Sequence, residues 1–421
     1  MPDHLPNLRH LRAFSEVATS GSVSAAANQI FLSQSAVTQA IGKLESSLGT
    51  TLFLRRHNGM FLTDAGELFA TRVNRCMAFL RTGTRDAVRI GERRDDAERN
   101  TGHQPYTLIS NAHLRALLAL QNATSYSIAA RQIGISQPAL YRAAGELEAL
   151  LNTWLFEKTS VGISLTRAAL RLARAARLAM KEVDQGIDEL RELEGADAGT
   201  IQIGCMPLAR TYVVPATINQ MAQFKPDVNV GVIEGAYDDL LGRLLHGELD
   251  MLIGALRDPT PSPDIRQEQL FITSISVVAR SGHPLVQRTQ LTLDDLHGYG
   301  WVVPRPGTPA RGLFDQVVTR LDPSVLRGVV ECSSQIVIRE LLTDSDRLTF
   351  ISSHQVQHEI EEGILTVLDT QLPVTERPIG ITTRTDWRPT PTQQLFLSML
   401  RELSRPLANP TPDDDQVAAL L

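Results

Sequence analysis

Cysteine is scarce. Cys76, Cys205 and Cys332 are the three in 421 residues, odd in number and far apart, which excludes a disulfide framework and a zinc ribbon and suits a reducing compartment. Aromatic residues make up 5% of the chain, and no apolar run is long enough to span a bilayer. The N-terminal stretch "MPDHLPNLRHLRAF" lacks the apolar core of a signal peptide, so a cytoplasmic protein without membrane contact is expected. Also missing are a P-loop, a G-x-G-x-x-G after a strand, metal-ligand spacing and a Ser-His-Asp order. An enzyme is therefore not expected, and neither a catalytic residue, a metal site nor a cofactor is assigned. His246, His283 and His354 read as surface or loop residues.

The net charge of −6 conceals a gradient. Residues 5–82 hold eight Lys/Arg against four acids, and residues 108–180 hold eight against three, so the balance turns negative only after about residue 200. A basic front on an acidic body fits a nucleic-acid-binding head joined to a domain with another task.

What is present is a repetition. "LSQSAVTQAIGKLESSL" at 32–48 returns as "ISQPALYRAAGELEALL" at 135–151, pairing Ser33 with Ser136, Gly42 with Gly145, Glu45 with Glu148 and Phe53 with Phe156 at a constant offset. This is a duplicated folding unit. In the first copy Leu8, Leu11, Phe14 and Val17 have helical spacing, Gly21 stops that helix, and Ser22 starts a short one rich in alanine. Ser33 then caps a third helix that buries Val37, Ala40, Ile41 and Leu44. Its outward residues Gln34, Ser35, Thr38, Gln39 and Lys43, with Ser33 at its start, are candidates for base edges and phosphates in a major groove. "LFLRRHNGMFLT" reads as a hairpin turning at Asn58-Gly59, with Arg55 and Arg56 aimed at the backbone. The unit is thus a winged helix-turn-helix.

The order "LRAFSEVATSGSVSAAANQIFLSQSAVTQAIGKLESSLGTTLFLRR...LTDAGE" resembles the N-terminal winged helix of LysR-type transcriptional regulators. The resemblance implies a linker helix that pairs dimers and a periplasmic-binding-protein-like effector domain further along. The expected fold is multidomain. Two α-rich winged helix-turn-helix domains (5–82 and 108–166) flank a charged linker (83–107), and a linker helix (167–195) leads to an α/β effector domain of two subdomains (199–405) and a flexible tail (406–421).

The second copy keeps the core and changes the surface. Thr38 becomes Tyr141, Gln39 becomes Arg142 and Lys43 becomes Glu146, while the wing retains Lys158. Ser136, Gln137, Tyr141, Arg142 and Lys158 are its candidate DNA residues. Two readings stay open: a working reader with a different base preference, or a module retained for dimerisation and spacing. On the linker helix Leu170, Ala173, Ala176, Met180, Val183, Ile187, Leu190 and Leu193 form a stripe of the kind that pairs with a partner chain.

From residue 200 strands such as "IQIGC", "VNVGVIEG" and "MLIGAL" alternate with helices, and a second set follows from "ISVVAR" to "LTFIS" before the chain returns near "PIGITTR". Ligands of open parallel sheets sit beyond the carboxyl ends of the strands. Met206, Pro207, Arg210, Tyr237, Arg257, Arg305, Thr308, Arg311, Ser333 and Ser334 fall there. Arginines beside helix N-termini suit an anion, so a small carboxylate or phosphorylated metabolite is expected as effector. The leading reading is an effector-controlled regulator that binds double-stranded DNA as a homo-oligomer, with RNA polymerase left open as a further partner. Its alternatives are a redox-sensing regulator using Cys205 and Cys332, and a solute-binding transport component.

Overall fold

A computed structural model describes residues 6–57, 59–94, 105–196, 199–318, 327–371 and 376–408. Asn58 of the expected wing turn, residues 95–104 of the charged linker and the tail after residue 408 lie outside the described residues. The chain divides into two units, Met1–Gly199 with His246–Glu248, and Thr200–Leu245 with Leu249–Leu421.

In the first unit the duplication is structural. Helices α1 (Leu8–Ser20), α2 (Val23–Gln29) and α3 (Gln34–Leu48), strands β1 (Phe53–Arg56) and β2 (Gly59–Leu62) and helix α4 (Asp64–Ile90) form the first copy. The second comprises α5 (Asn111–Gln121), α6 (Tyr126–Gln132), α7 (Gln137–Leu151), β3 (Phe156–Thr159), β4 (Gly162–Leu165) and α8 (Arg167–Leu193). Each of its elements begins 103 residues after its counterpart.

The same caps recur because the same helix ends need them. Ser33 accepts from the Ala36 N–H at 3.2 Å and Ser136 from that of Ala139 at 3.3 Å, each satisfying a donor with no intrahelical partner. Glu45 accepts from the N–H groups of Leu52 and Phe53 at 2.8 and 3.1 Å, and Glu148 from those of Leu155 and Phe156 at 2.8 and 3.0 Å. These two carboxylates, which count as plain negative charges in the sequence, fasten the entry of each wing to its recognition helix.

The long helices α4 and α8 run antiparallel against each other. A Cβ on Gly83 would lie 2.2 Å from the Cβ of Ala175, and one on Gly186 would lie 3.0 Å from the Cβ of Arg72, so the helices touch almost backbone to backbone. The apolar stripe of α8, expected to seek a partner chain, is buried here against α4 of the same chain. Ala169, Leu172, Ala173, Ala176, Ala179 and Val183 share one core with Phe69, Val73, Cys76 and Leu80. Leu170 and Leu193, assigned to that stripe, are 43% and 54% exposed, whereas Leu172 and Leu190 are buried.

One buried polar cluster crosses the seam. Arg72, fully buried, donates from Nε to Glu189 at 2.9 Å and from Nη1 to Glu182 at 3.0 Å and Gln185 at 3.1 Å. Arg75 adds a 2.8 Å bond to Glu182. Burial alone lowers the pKa of Arg72, but the bonds to Glu189 and Glu182 outweigh it and the net shift is upward.

The second unit holds β5 (Thr200–Cys205), α9 (Val213–Phe224), β6 (Asn229–Glu234), α10 (Tyr237–Leu245), β7 (Met251–Ala255) and β8 (Ile265–Ser274). There follow β9 (Ser276–Arg280), β10 (Gly300–Val303), α11 (Pro309–Val318), β11 (Arg327–Glu331), α12 (Gln335–Thr343) and β12 (Leu348–Ile351). The chain closes with α13 (Gln357–Glu361), β13 (Leu365–Val367), β14 (Glu376–Arg384) and α14 (Pro391–Ala408). One sheet has the order β6-β5-β7-β14-β8, the other β11-β10-β12-β9-β13. Strands β5, β6 and β7 are parallel, whereas β14 returns antiparallel between β7 and β8. The chain passes from the first sheet to the second between β8 and β9 and comes back through β14. No helix among the described residues is long and apolar enough to cross a membrane.

Candidate functional site

Helix α3 is held by its buried face and offers the other. Ser33, Gln34, Ser35, Gln39 and Lys43 are exposed, and Thr38 is half-buried. Gln34 donates to Ser24 of α2 at 3.1 Å, and the Ser33 and Ser35 hydroxyls lie 3.0 Å apart. Arg55 and Arg56 are exposed on the first wing, with Arg56 5.3 Å from the centroid of Phe61.

Three of the eight bases in the first copy face inward. Arg12 donates to the carbonyl oxygens of Tyr106, Thr107 and Ile109, and burial pushes its pKa down to about 10. Arg72 and Arg75 serve the helix seam. The bases left exposed are Lys43 on α3, Arg55 and Arg56 on the wing, and Arg9 and Arg81.

On the second copy Gln137, Tyr141 and Arg142 line one open concavity with Pro138 and Gly145, and Ser136 and Lys158 are exposed. Tyr141 is 64% exposed and stacks edgewise on Tyr126, ring centroids 5.1 Å apart. Glu146 lies 3.4 Å from His113, so its carboxylate has a neighbour in the protein.

In the second unit a cavity of about 620 Å³ opens beyond the carboxyl ends of β5, β6 and β7. Of the ten residues expected there, Met206, Pro207, Arg210, Tyr237, Arg257, Arg305, Thr308, Ser333 and Ser334 line it. Arg311 does not: it pairs with Asp315 at 2.8 Å and Glu331 at 2.7 Å and donates to the Pro304 carbonyl. Its place in the first turn of α11, opposite two carboxylates, turns it away. Arg210 reaches the cavity with its charge offset by Glu234. Thr308 is occupied in capping α11, accepting from the Arg311 N–H at 3.2 Å. Ser334 begins α12 without a side-chain capping bond, which leaves its hydroxyl for the cavity.

Arg377 on β14 also lines the cavity, as do Gln355 and Thr349. Sequence reasoning missed all three, Arg377 because a returning antiparallel strand announces neither its register nor its neighbours. Arg257 stacks on Tyr237, 4.2 Å from the ring centroid. The Nη1 of Arg257, the Nε of Arg377 and the hydroxyl of Tyr237 are buried without a hydrogen-bond partner. Burial, followed by the charge of Arg257, pushes the Arg377 pKa down to about 10, and burial lowers that of Arg257 as well. Four arginines line the cavity against two carboxylates, Glu234 and Asp238. The arrangement can hold an anion and has buried donors to spend on it.

Cys205 and Cys332 line the same cavity, but burial pushes the Cys205 thiol up to about 12, which keeps it protonated and unreactive. No cluster of three or more His, Cys, Asp or Glu suited to a metal occurs among the described residues.

Residues 8–67 and 112–170 match the family described as bacterial regulatory helix-turn-helix protein, lysR family, and residues 194–405 match the LysR substrate binding domain. The chain is a LysR-type transcriptional regulator. It is 35% identical over 399 residues to the HTH-type transcriptional regulator GalR of Pseudomonas putida, covering 95% of this chain and 98% of that protein. The regulator YdcI of Escherichia coli (strain K12) is 28% identical over 290 residues, 69% of this chain and 94% of that one. Among solved structures, a full-length OxyR variant from Pseudomonas aeruginosa shares the fold with a TM-score of 0.50 and 23% identity over 70% of this chain and 94% of that chain. In this LysR-type regulator the helix-turn-helix match occurs twice and the substrate-binding match once.

Proposed function

We propose that a small anion, a carboxylate or a phosphate ester, binds in the cavity of the second unit and controls how this regulator engages DNA. The observation that carries the reading is the convergence of Arg257 and Arg377 on one cavity with buried N–H groups left over. In this reading the two guanidinium groups hold the anion, the Ser333 and Ser334 hydroxyls at the start of α12 orient it, and Tyr237 positions Arg257. Helices α3 and α7 face the DNA. The chain works in the cytoplasm as a homo-oligomer and carries out no catalysis of its own.

Calorimetry of the full chain against small carboxylates and phosphate monoesters tests this. Arg377→Gln should weaken binding of the best ligand by about tenfold or more, since a charge-assisted bond to a buried cation is worth about 1.5–3 kcal/mol. Arg311→Gln should leave binding unchanged. Equal losses in the two variants, or equal affinity for an uncharged analogue, would refute the assignment.

A further inference from the structure

We propose that a single chain is a complete two-headed DNA reader, whose two copies pair as halves of an internal twofold and present unlike recognition helices to an inverted pair of unlike half-sites. This rests on the reading of α3 and α7 as DNA-facing helices and adds their pairing, their orientation and the asymmetry of the site.

The twofold follows from contacts that survive exchange of the copies. Gly83 meets Ala175 and Gly186 meets Arg72; Gly83 corresponds to Gly186 and Arg72 to Ala175, so each contact is the image of the other. The Leu8 N–H donates to the Asn111 side chain at 2.9 Å, and these two residues are themselves counterparts, which places that contact on the axis. At the outer ends Arg93 bridges to Thr153, and Thr50, the counterpart of Thr153, bonds to Glu194. A two-headed reader with this symmetry meets half-sites in inverted orientation.

The Arg72 cluster makes the pairing heterotypic. If two α4 helices paired between chains, Arg72 would face Phe79, Thr82 and Asp86, the counterparts of Glu182, Gln185 and Glu189. If two α8 helices paired, Glu182 and Glu189 would be buried against Ala175 and Leu178 with no cation. Pairing α8 with α8 strands two buried acids, pairing α4 with α4 leaves Arg72 the single acid Asp86 in place of two glutamates and an amide, and the pairing of α4 with α8 satisfies the whole set. Within the chain the described ends of the connector stay on the same unit. The Arg94 N–H donates to the Asn152 carbonyl at 3.4 Å, and Tyr106, Thr107 and Ile109 are gathered by Arg12.

The heads then read differently. Gln39 on α3 has the amide that suits adenine, while Arg142, at the matching position of α7, has the fork that suits guanine. Lys43 favours phosphate, whereas its counterpart Glu146 lies against His113.

The test is selection from a random duplex library with the full chain and with Arg142→Gln and Gln39→Arg. The expected consensus has two inverted, unlike arms. Arg142→Gln should change one position in one arm, with about a fivefold or greater loss on the wild-type sequence, and Gln39→Arg should change the matching position in the other arm only. A palindrome altered in both arms by either variant would overturn the proposal, as would a single arm indifferent to Arg142→Gln. The pairing is tested apart from DNA by coupling the lysine introduced by Arg75→Lys to Glu182 with a carbodiimide. The linked peptides should come from the single-chain band of a denaturing gel; recovery only from a two-chain band overturns the intrachain pairing. If those peptides appear in the single-chain band while the library yields no enriched sequence, the DNA-facing reading fails together with the two-headed reader, and the intrachain pairing alone survives.

Discussion

Replacing Arg72 by methionine keeps the helix and most of the volume but removes a cation from a buried site. Glu189, whose side chain is 8% exposed, loses two bonds and its cation, while Glu182 keeps Arg75 at 2.8 Å. Breaking a buried pair from one side costs about 3–5 kcal/mol, because the remaining charge stays desolvated. Global unfolding of a two-unit chain is a poor gauge of this loss. Amide exchange in α4 and α8 reads it locally and should accelerate by roughly two to four orders of magnitude. Adding Glu189→Leu removes the stranded acid and should recover most of the loss, since a well-packed apolar replacement of a buried pair is often near neutral. Unchanged exchange in the single variant, or a double variant as loose as the single one, would show that the cluster does not hold the seam.

Three further outcomes follow from the same geometry. Gly83→Ala should destabilise the first unit by about 1–3 kcal/mol despite the helix propensity of alanine, because the new Cβ would sit 2.2 Å from that of Ala175. Gly42→Ala, with nothing within 4 Å of its Cβ, should instead stabilise α3 by up to about 1 kcal/mol; denaturant midpoints compare the two. Burial raises the Asp184 pKa to about 6 from 3.8, so its charged form costs stability above pH 6, and that cost fades as pH falls through 6 toward 4. Asp184→Asn should therefore gain about 1–3 kcal/mol at pH 7.5, allowing for the partial exposure of the group, and nothing at pH 4; a gain independent of pH would contradict this.

The duplication was legible because it preserves what a fold cannot do without: Ser33 and Ser136 at helix starts, and Glu45 and Glu148 tying down the wings. The cavity was legible through the rule for strand ends, which located nine of the ten expected lining residues. The partner of α8 was not. A stripe of alanines and leucines says that a helix packs and carries no address for what it packs against. The address lay in polar residues on that face, with Arg72 where the second copy has Ala175, and Glu182 and Glu189 where the first has Phe79 and Asp86. Strand β8 escaped notice for a related reason: "IRQEQLFITS" is polar over half its length because its outer side is an exposed sheet edge. Arg377 depends on the register of β14 against β8, where it stands opposite Thr273, and register over a hundred residues of chain is not written in local pattern.

The central claim, that one chain forms both halves of the reader, is tested most directly by counting. Native mass spectrometry of the full chain saturated with a duplex that carries one inverted pair of arms should give an oligomer holding as many duplexes as it has chains. Two chains per duplex, each using only α3, would contradict the account.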